Sequence, residues 1–196
     1  MKTKKRLRLK NLIRNQRGFG LVELLVAVAL TGIVAAAATM SIHQVITSTA
    51  LSNNQNTAIN QVRNAGYWIS RDAQMAQSIV AANLTAPKVL VLDWVGLEWK
   101  EVSGQDERQC TNAYHVEYLY AGNELERYQK ITTRKYTTAG QLVETVESES
   151  TMLVADHITS FPDPVLSGNK LVITIKAQCR EAEEERTYEV KPRPTV

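Results

Sequence analysis

An almost unbroken apolar run extends from Phe19 to about Met40. It is long enough for a helix to cross a bilayer core, which takes roughly 20 apolar residues. Beyond Ile42 the apolar positions fall into helical spacing, as Val45, Ile46, Ala58, Ile59, Val62, Ala65, Ile69, Ala73, Ala76 and Ile79. The stripe thins across the polar, Asn-rich stretch Ser48 to Asn60, where Leu51 alone carries it. No proline precedes Pro87. The pattern predicts one helix from Phe19 to Val80, about 93 Å long at about 1.5 Å per residue. Its first part is apolar all round and its second on one face, so a sheet must cover that face.

Period-two patterns follow. Lys88 to Trp94 is rich in Val and Leu, and Tyr114, Val116, Tyr118 and Tyr120 alternate with His115, Glu117 and Leu119. Gly122-Asn123 then supplies the positive φ angles of a two-residue hairpin turn, and Leu125 to Thr133 returns. Leu171, Ile173, Ile175, Ala177 and Cys179 share one face of a later strand. Pro162, Asp163 and Pro164 break the chain before it, after Met152 to Phe161. The acidic run Glu181 to Glu185 reads as a solvated loop leading to a last short strand around Tyr188 and Val190. There is no internal repeat and no low-complexity linker. The predicted fold is α+β: a long N-terminal helix, stalk first and spine later, packed on a mostly antiparallel sheet head.

Charge changes the picture at one end. The formal net charge is +3, but Lys2, Lys4, Lys5, Arg6, Arg8, Lys10, Arg14 and Arg17 all precede Gly18 without an acid among them. The remainder carries 15 basic against 20 acidic side chains, which removes any case for nucleic-acid binding from the high isoelectric point. A basic flank on one side of an apolar segment orients it with residues 1–17 cytoplasmic and the head outside. Cys110 and Cys179 then lie where a disulfide can persist.

Glu23 is the odd residue of the apolar run. A carboxylate in a membrane costs on the order of 2.5–3.5 kcal/mol even on lenient insertion scales. It could snorkel to the cytoplasmic interface. It could instead pair with a new α-amino group, released four residues away by a cut between Gly18 and Phe19. The stretch Arg17-Gly18-Phe19-Gly20-Leu21-Val22-Glu23-Leu24-Leu25 resembles the prepilin N-terminus of type IV pilins and type II secretion pseudopilins. The resemblance implies cleavage after Gly18 by a prepilin peptidase, N-methylation of Phe19, and filament assembly through the apolar helix, with Glu23 facing a neighbour's N-terminus. It implies as partners other pilin or pseudopilin subunits, the peptidase, an inner-membrane assembly platform, and the lipid bilayer before assembly. The protein would be a single-pass inner-membrane species first, and a periplasmic or surface filament later. Gly32 falls where the family often carries a helix glycine. Gly20 replaces the commoner Thr, and Met40 stands where many pilins have a kinking proline. The expected organisation is a removed leader over 1–18, a membrane and filament-core helix over 19–40, an amphipathic continuation over 41–80, and a β-rich head over 81–196. The large head, with a Tyr-rich hairpin ending in Leu125 and Arg127, is similar in layout to minor pilins of the W kind and J minor pseudopilins. The competing processing scheme is an ordinary signal peptide cut near Ala35-Ala36-Ala37-Ala38.

Little else carries chemistry. A Cys110–Cys179 disulfide would close a loop of about 70 residues and stabilise by about 4 kcal/mol on a chain-entropy argument; two unpaired thiols are the alternative. His43, His115 and His157 lack ligand-spaced partners, and no catalytic, metal-binding or phosphate-loop motif occurs. The expectation is a non-enzyme without cofactor or metal. Asn83-Leu84-Thr85 matches a glycosylation sequon, a weak signal here. Arg127, Lys130, Arg134 and Lys135 form a local basic cluster, read either as a solvated strand face or as a contact for DNA or another polyanion. A structural filament subunit is thus the first reading. A DNA-binding or adhesive tip subunit, and an exported membrane-anchored protein with no pilus role, are the alternatives.

Overall fold

A computed structural model describes residues 20–103 and 106–193. Helix α1 (Leu21–Met75) is followed by ten strands in an α+β arrangement. Contacts divide the chain into two units, one through Thr49 and one from Ala50 onward.

In the first unit every described residue is exposed. The apolar segment is long enough to cross a membrane, and none of it is buried within the protein. Helical geometry runs through Met40 and through Ser48 to Asn60 alike.

In the second unit α1 buries Ala58, Val62, Ala65, Gly66, Ile69, Asp72 and Ala73. The expected stripe is therefore the packed one, with one polar addition. Two antiparallel sheets cover it. The larger runs β1 (Ser78–Val80), β2 (Lys88–Val95), β4 (Asp106–Ala121), β5 (Glu124–Thr137), β6 (Leu142–Ala155), with β3 (Trp99–Ser103) pairing β4 beyond the end of β2. The smaller runs β10 (Ala182–Val190), β9 (Lys170–Cys179), β7 (Ile158–Ser160), with β8 (Val165–Ser167) also on β9.

Gly122 and Asn123 have φ of 61° and 70°, as a two-residue turn matched to strand twist requires. This turn sets Tyr118 opposite Arg127 and Ala121 opposite Glu124. On β9, Leu171, Ile173, Ile175 and Ala177 are buried in strict alternation. All four enter one core with Val62, Ile69, Leu90, Leu92, Val116, Tyr118 and Leu125.

Three expectations are corrected. The helix ends at Met75 and not Val80, because the Gln77 N–H donates to the Asp93 carbonyl (2.9 Å) and Ser78–Val80 pairs with the edge of β2. The acidic run is not a loop: Glu183 to Glu185 lie in β10, paired along β9, and Lys176 meets Glu183 at 2.7 Å. The segment from Leu142 to Thr151, given no element beforehand, is most of a long edge strand.

The polar addition to the stripe is Asp72. Its Oδ2 accepts from the Tyr118 hydroxyl (2.7 Å) and from Arg127 Nε (2.6 Å), and Oδ1 accepts from Arg127 Nη2 (3.2 Å). Burial disfavours the phenolate, and the neighbouring Asp72 carboxylate adds to this, so the Tyr118 phenol stays protonated far beyond its ordinary range. On the other side of α1, the Tyr188 hydroxyl donates to the Val62 carbonyl (3.1 Å) and its ring lies over Gly66. A Cβ at Gly66 would stand inside that ring.

Removing one partner of a buried pair strands the other charge. Asp72→Ala is expected to destabilise the head by about 3–5 kcal/mol in denaturant unfolding, and Asp72→Leu with Arg127→Met to cost distinctly less. Gly66→Ala is expected to cost about 1–3 kcal/mol through overpacking. Much of that loss should return when Tyr188→Leu is added, since the smaller side chain vacates the space. An unchanged midpoint for Gly66→Ala would refute the close packing.

Candidate functional site

The apolar segment of α1 presents one charged side chain. Gly20 precedes the first helical residue and Glu23 occupies the third helical position. Glu23 Oε2 accepts from the Gly20 N–H at 3.0 Å, the acidic half of a capping box. The hydroxyls along the segment are spent internally: Thr31 donates to the Ala27 carbonyl (2.7 Å) and Thr39 to that of Ala35 (2.9 Å). Such i−4 bonds hide polar groups from an apolar surround. Glu23 is thus the one ionisable side chain of residues 21–40. Gly32 has open space beside it, so its face admits close approach. Gly18 and Phe19 lie outside the described residues.

The basic cluster read from sequence does not form a patch. Side chains alternate along β5, and the four residues divide between its faces. Arg127 points inward to Asp72 and is buried. Lys135, on the same face, meets Glu101 (2.9 Å) and Glu144 (3.5 Å). On the opposite face Lys130 meets Glu147 (2.7 Å) and Glu149 (3.6 Å). Among the described residues, Arg134 is the member without an acidic partner. Asp72 of α1 neutralises Arg127, and carboxylates of β6 and β3 neutralise Lys130 and Lys135, so the expected polyanion contact has no surface here.

The Cys110–Cys179 disulfide is likewise corrected: both thiols are free. Cys110 is buried. However, it lies toward the start of β4 in the larger sheet, near Glu101 (4.0 Å) and the Arg108 carbonyl (3.9 Å). Cys179 ends β9 in the smaller sheet, beside Asn54 (4.0 Å). Alternation fixes a face, and two sheets each have one.

A groove of about 630 Å³ opens where the larger sheet runs on past the last turns of α1. Its floor is aromatic: Trp94 stacks on Tyr114 with centroids 5.2 Å apart and planes 10° from parallel. Trp68 has the guanidinium carbons of both Arg71 and Arg127 at 5.3 Å from its ring centre. Arg127 Nη1 also donates to Gln129 Oε1 (2.6 Å), which leaves the Gln129 amide N–H groups as donors in the lining. Asp72 supplies the lining's one carboxylate, and Arg127 neutralises it. Among the described residues no group of three or more His, Cys, Asp and Glu could hold a metal ion. The sequence reading missed Asp72, Trp68 and Trp94 as a set. A signal existed for Asp72, which occupies an inward position of the otherwise apolar stripe of α1.

On the outer face of the larger sheet, His115 Nδ1 meets Asp93 at 2.6 Å and Nε2 meets Glu117 at 3.0 Å, while Lys88 Nζ reaches Glu117 at 2.5 Å. Lys130 of β5 stands opposite His115 but is engaged by Glu147 and Glu149. Burial alone would lower the imidazole pKa; its bonds to the Glu117 and Asp93 carboxylates outweigh this, and the net shift is upward. Burial would raise the Glu117 carboxyl, but Lys88 and His115 outweigh it and the net shift is downward.

A model of the prokaryotic N-terminal methylation motif matches residues 13–39. The motif supports a type IV pilin-like family and indicates prepilin-type processing. No curated protein and no solved structure matches the chain.

A raised imidazole pKa means that the charged pair stabilises the fold fully below the unfolded value, about 6.5, and is lost as pH rises through the higher folded value. The depressed Glu117 contributes above the ordinary carboxylate range and is lost in stronger acid. Head stability should therefore fall by a small, salt-sensitive amount from mildly acidic to mildly alkaline pH, and His115→Gln should flatten that slope. Unfolding midpoints taken across this range check it; parallel profiles for both proteins would contradict the assignment.

Proposed function

We propose that this chain is a prepilin: cut between Gly18 and Phe19, N-methylated on Phe19, held in the inner membrane by residues 19–40, and built into a filament as a structural subunit. The observation that carries the reading is the apolar first half of α1, none of whose described residues is buried in its own protein. Such a surface must be covered by lipid or by other helices, and the methylation motif lies across the same residues. Both coverings occur in turn if the subunit waits in the bilayer and then assembles.

In this reading Glu23 carries assembly. Its carboxylate sits in the first turn of the helix, where the partial positive charge of the helix end favours it, and a positive N-terminus would be its partner. The head, with no catalytic or metal-binding motif in its sequence, serves contact with partner subunits. Its size and long sheet favour a minor subunit. The tip-adhesin reading loses its main support with the basic cluster of β5, whose Arg127, Lys130 and Lys135 are already paired. The basic leader and the apolar segment support a topology with the head outside the cytoplasm.

The test is the mass and first residue of the mature protein, made with and without a co-expressed prepilin peptidase. N-methylated Phe19 is expected only with the peptidase, and Gly18→Val is expected to remain uncut. Glu23→Val should still be cleaved but should leave the sheared filament fraction. A start near Thr39, or an uncut chain in both cells, would sink the prepilin reading.

A further inference from the structure

We propose that the groove under the last turns of α1 binds an acidic peptide segment of a partner protein, one that inserts an aromatic or large aliphatic side chain between carboxylates. Three observations select this occupant. The first is charge. Arg71 and Arg193 line the groove, and among the described residues neither meets a carboxylate within salt-bridge distance. The single acid of the lining, Asp72, is consumed by Arg127 and Tyr118. Arg127 and the Gln129 amide add further N–H donors, so the polar part of the site gives hydrogen bonds and accepts few. Such a lining suits carboxylates.

The second is the floor. The Trp94–Tyr114 stack offers a flat apolar face, and Met152 beside it adapts to what lies above. An apolar side chain gains there by burial and by ring stacking.

The third is the lip, which argues for a peptide over a small molecule. Val95 and Leu97 border the groove and are 49% and 86% exposed, and Trp99, two residues further along, is 40% exposed. A molecule confined to the cavity would leave this apolar rim wet. A segment of several residues would cover it, leaving Arg71 and Arg193 to hold its carboxylates. Aromatic and arginine anchors within a rim of this kind are the composition of binding hot spots. The chemistry stands on the groove alone; only the expectation that the segment belongs to a neighbouring subunit rests on the filament reading.

The test uses the full chain in detergent, with intrinsic tryptophan fluorescence reporting on Trp68 and Trp94. The probe is acetyl-Glu-Phe-Glu-Leu-amide, with acetyl-Lys-Phe-Lys-Leu-amide, acetyl-Glu-Ala-Glu-Ala-amide and free phenylacetate as comparisons. Saturable binding of the first peptide alone is expected. It should weaken with salt, and should weaken by at least about tenfold in Arg71→Glu combined with Arg193→Glu. Arg71 is exposed, so Arg71→Glu alone tests the charge without burdening the fold, and Leu97→Asp tests the rim. The proposal is overturned if none of the probes binds at millimolar concentration, or if the acidic and basic peptides bind alike. It is equally overturned if the arginine reversals change nothing, or if phenylacetate binds as tightly as the peptide. The N-terminal mass of the same preparation reports processing separately, so failure of the groove and failure of the prepilin reading are distinct results.

Discussion

The head depends on one buried carboxylate. Asp72 lies on the packed stripe of α1 and is met by Tyr118 and Arg127, which are register partners on adjacent strands. Gly122 and Asn123 fix that register, since a two-residue turn leaves no freedom in which residues pair. A slip of one residue would send Arg127 to the outer face and leave Asp72 alone in the core. Turn, register and helix docking are therefore one condition. The same guanidinium reaches Gln129 and the Trp68 ring, so the groove floor is organised by the contact that docks the helix.

A helix covered from two sides has a characteristic sequence. Ala58, Val62, Ala65, Gly66 and Ala73 are small, because the larger sheet approaches one side while Tyr188 of β10 lies against the other. Small side chains let both layers come close, and the tyrosine ring occupies the space that Gly66 leaves. Polar bonds close the contact at the bulged end of β6. There the Asn64 amide donates to the Val154 carbonyl at 2.5 Å, and Gln61 Oε1 accepts from the Asp156 N–H at 3.0 Å. Residues 21–40 are apolar all round instead, and among the described residues none covers them. One helix thus carries two compositions, each suited to a different surround.

What could be read beforehand follows from where the sequence meets water. β9 was legible because one face is buried and the other is not, so Leu171 to Ala177 alternate cleanly. The β4–β5 hairpin was legible because positive φ at two successive positions demands residues such as Gly and Asn. The first ten residues of β6 are exposed on both faces, so no alternation marks them and the strand exists through its pairing with β5. The acidic run was misread for a related reason. Glu183 and Glu185 project from β10 on its wet face, and the register that seats Lys176 opposite Glu185 and next to Glu183 is a tertiary fact. Ala76 and Ile79 extend the helical spacing, yet backbone groups at Gln77 pair with β2, and a sheet edge outweighs a few tenths of a kcal/mol of helix propensity. The basic cluster failed because adjacency in sequence is not adjacency in space on a strand.

Glu23 was legible as an anomaly, and the structure gives the anomaly a physical basis. A helix that enters an apolar medium leaves its first N–H groups without partners, and in lipid each costs several kcal/mol. A carboxylate at the third helical position answers one of them, here at Gly20, and meets the favourable end of the helix dipole. Anywhere deeper in residues 21–40 the same side chain would find every N–H already spent. The position where a carboxylate costs least in this segment therefore lies in the first turn of the helix. With the basic leader removed, the nearest charge would be a single α-amino group. An acid held at the helix end and a cation appearing beside it only after cleavage would tie assembly to processing through one interaction.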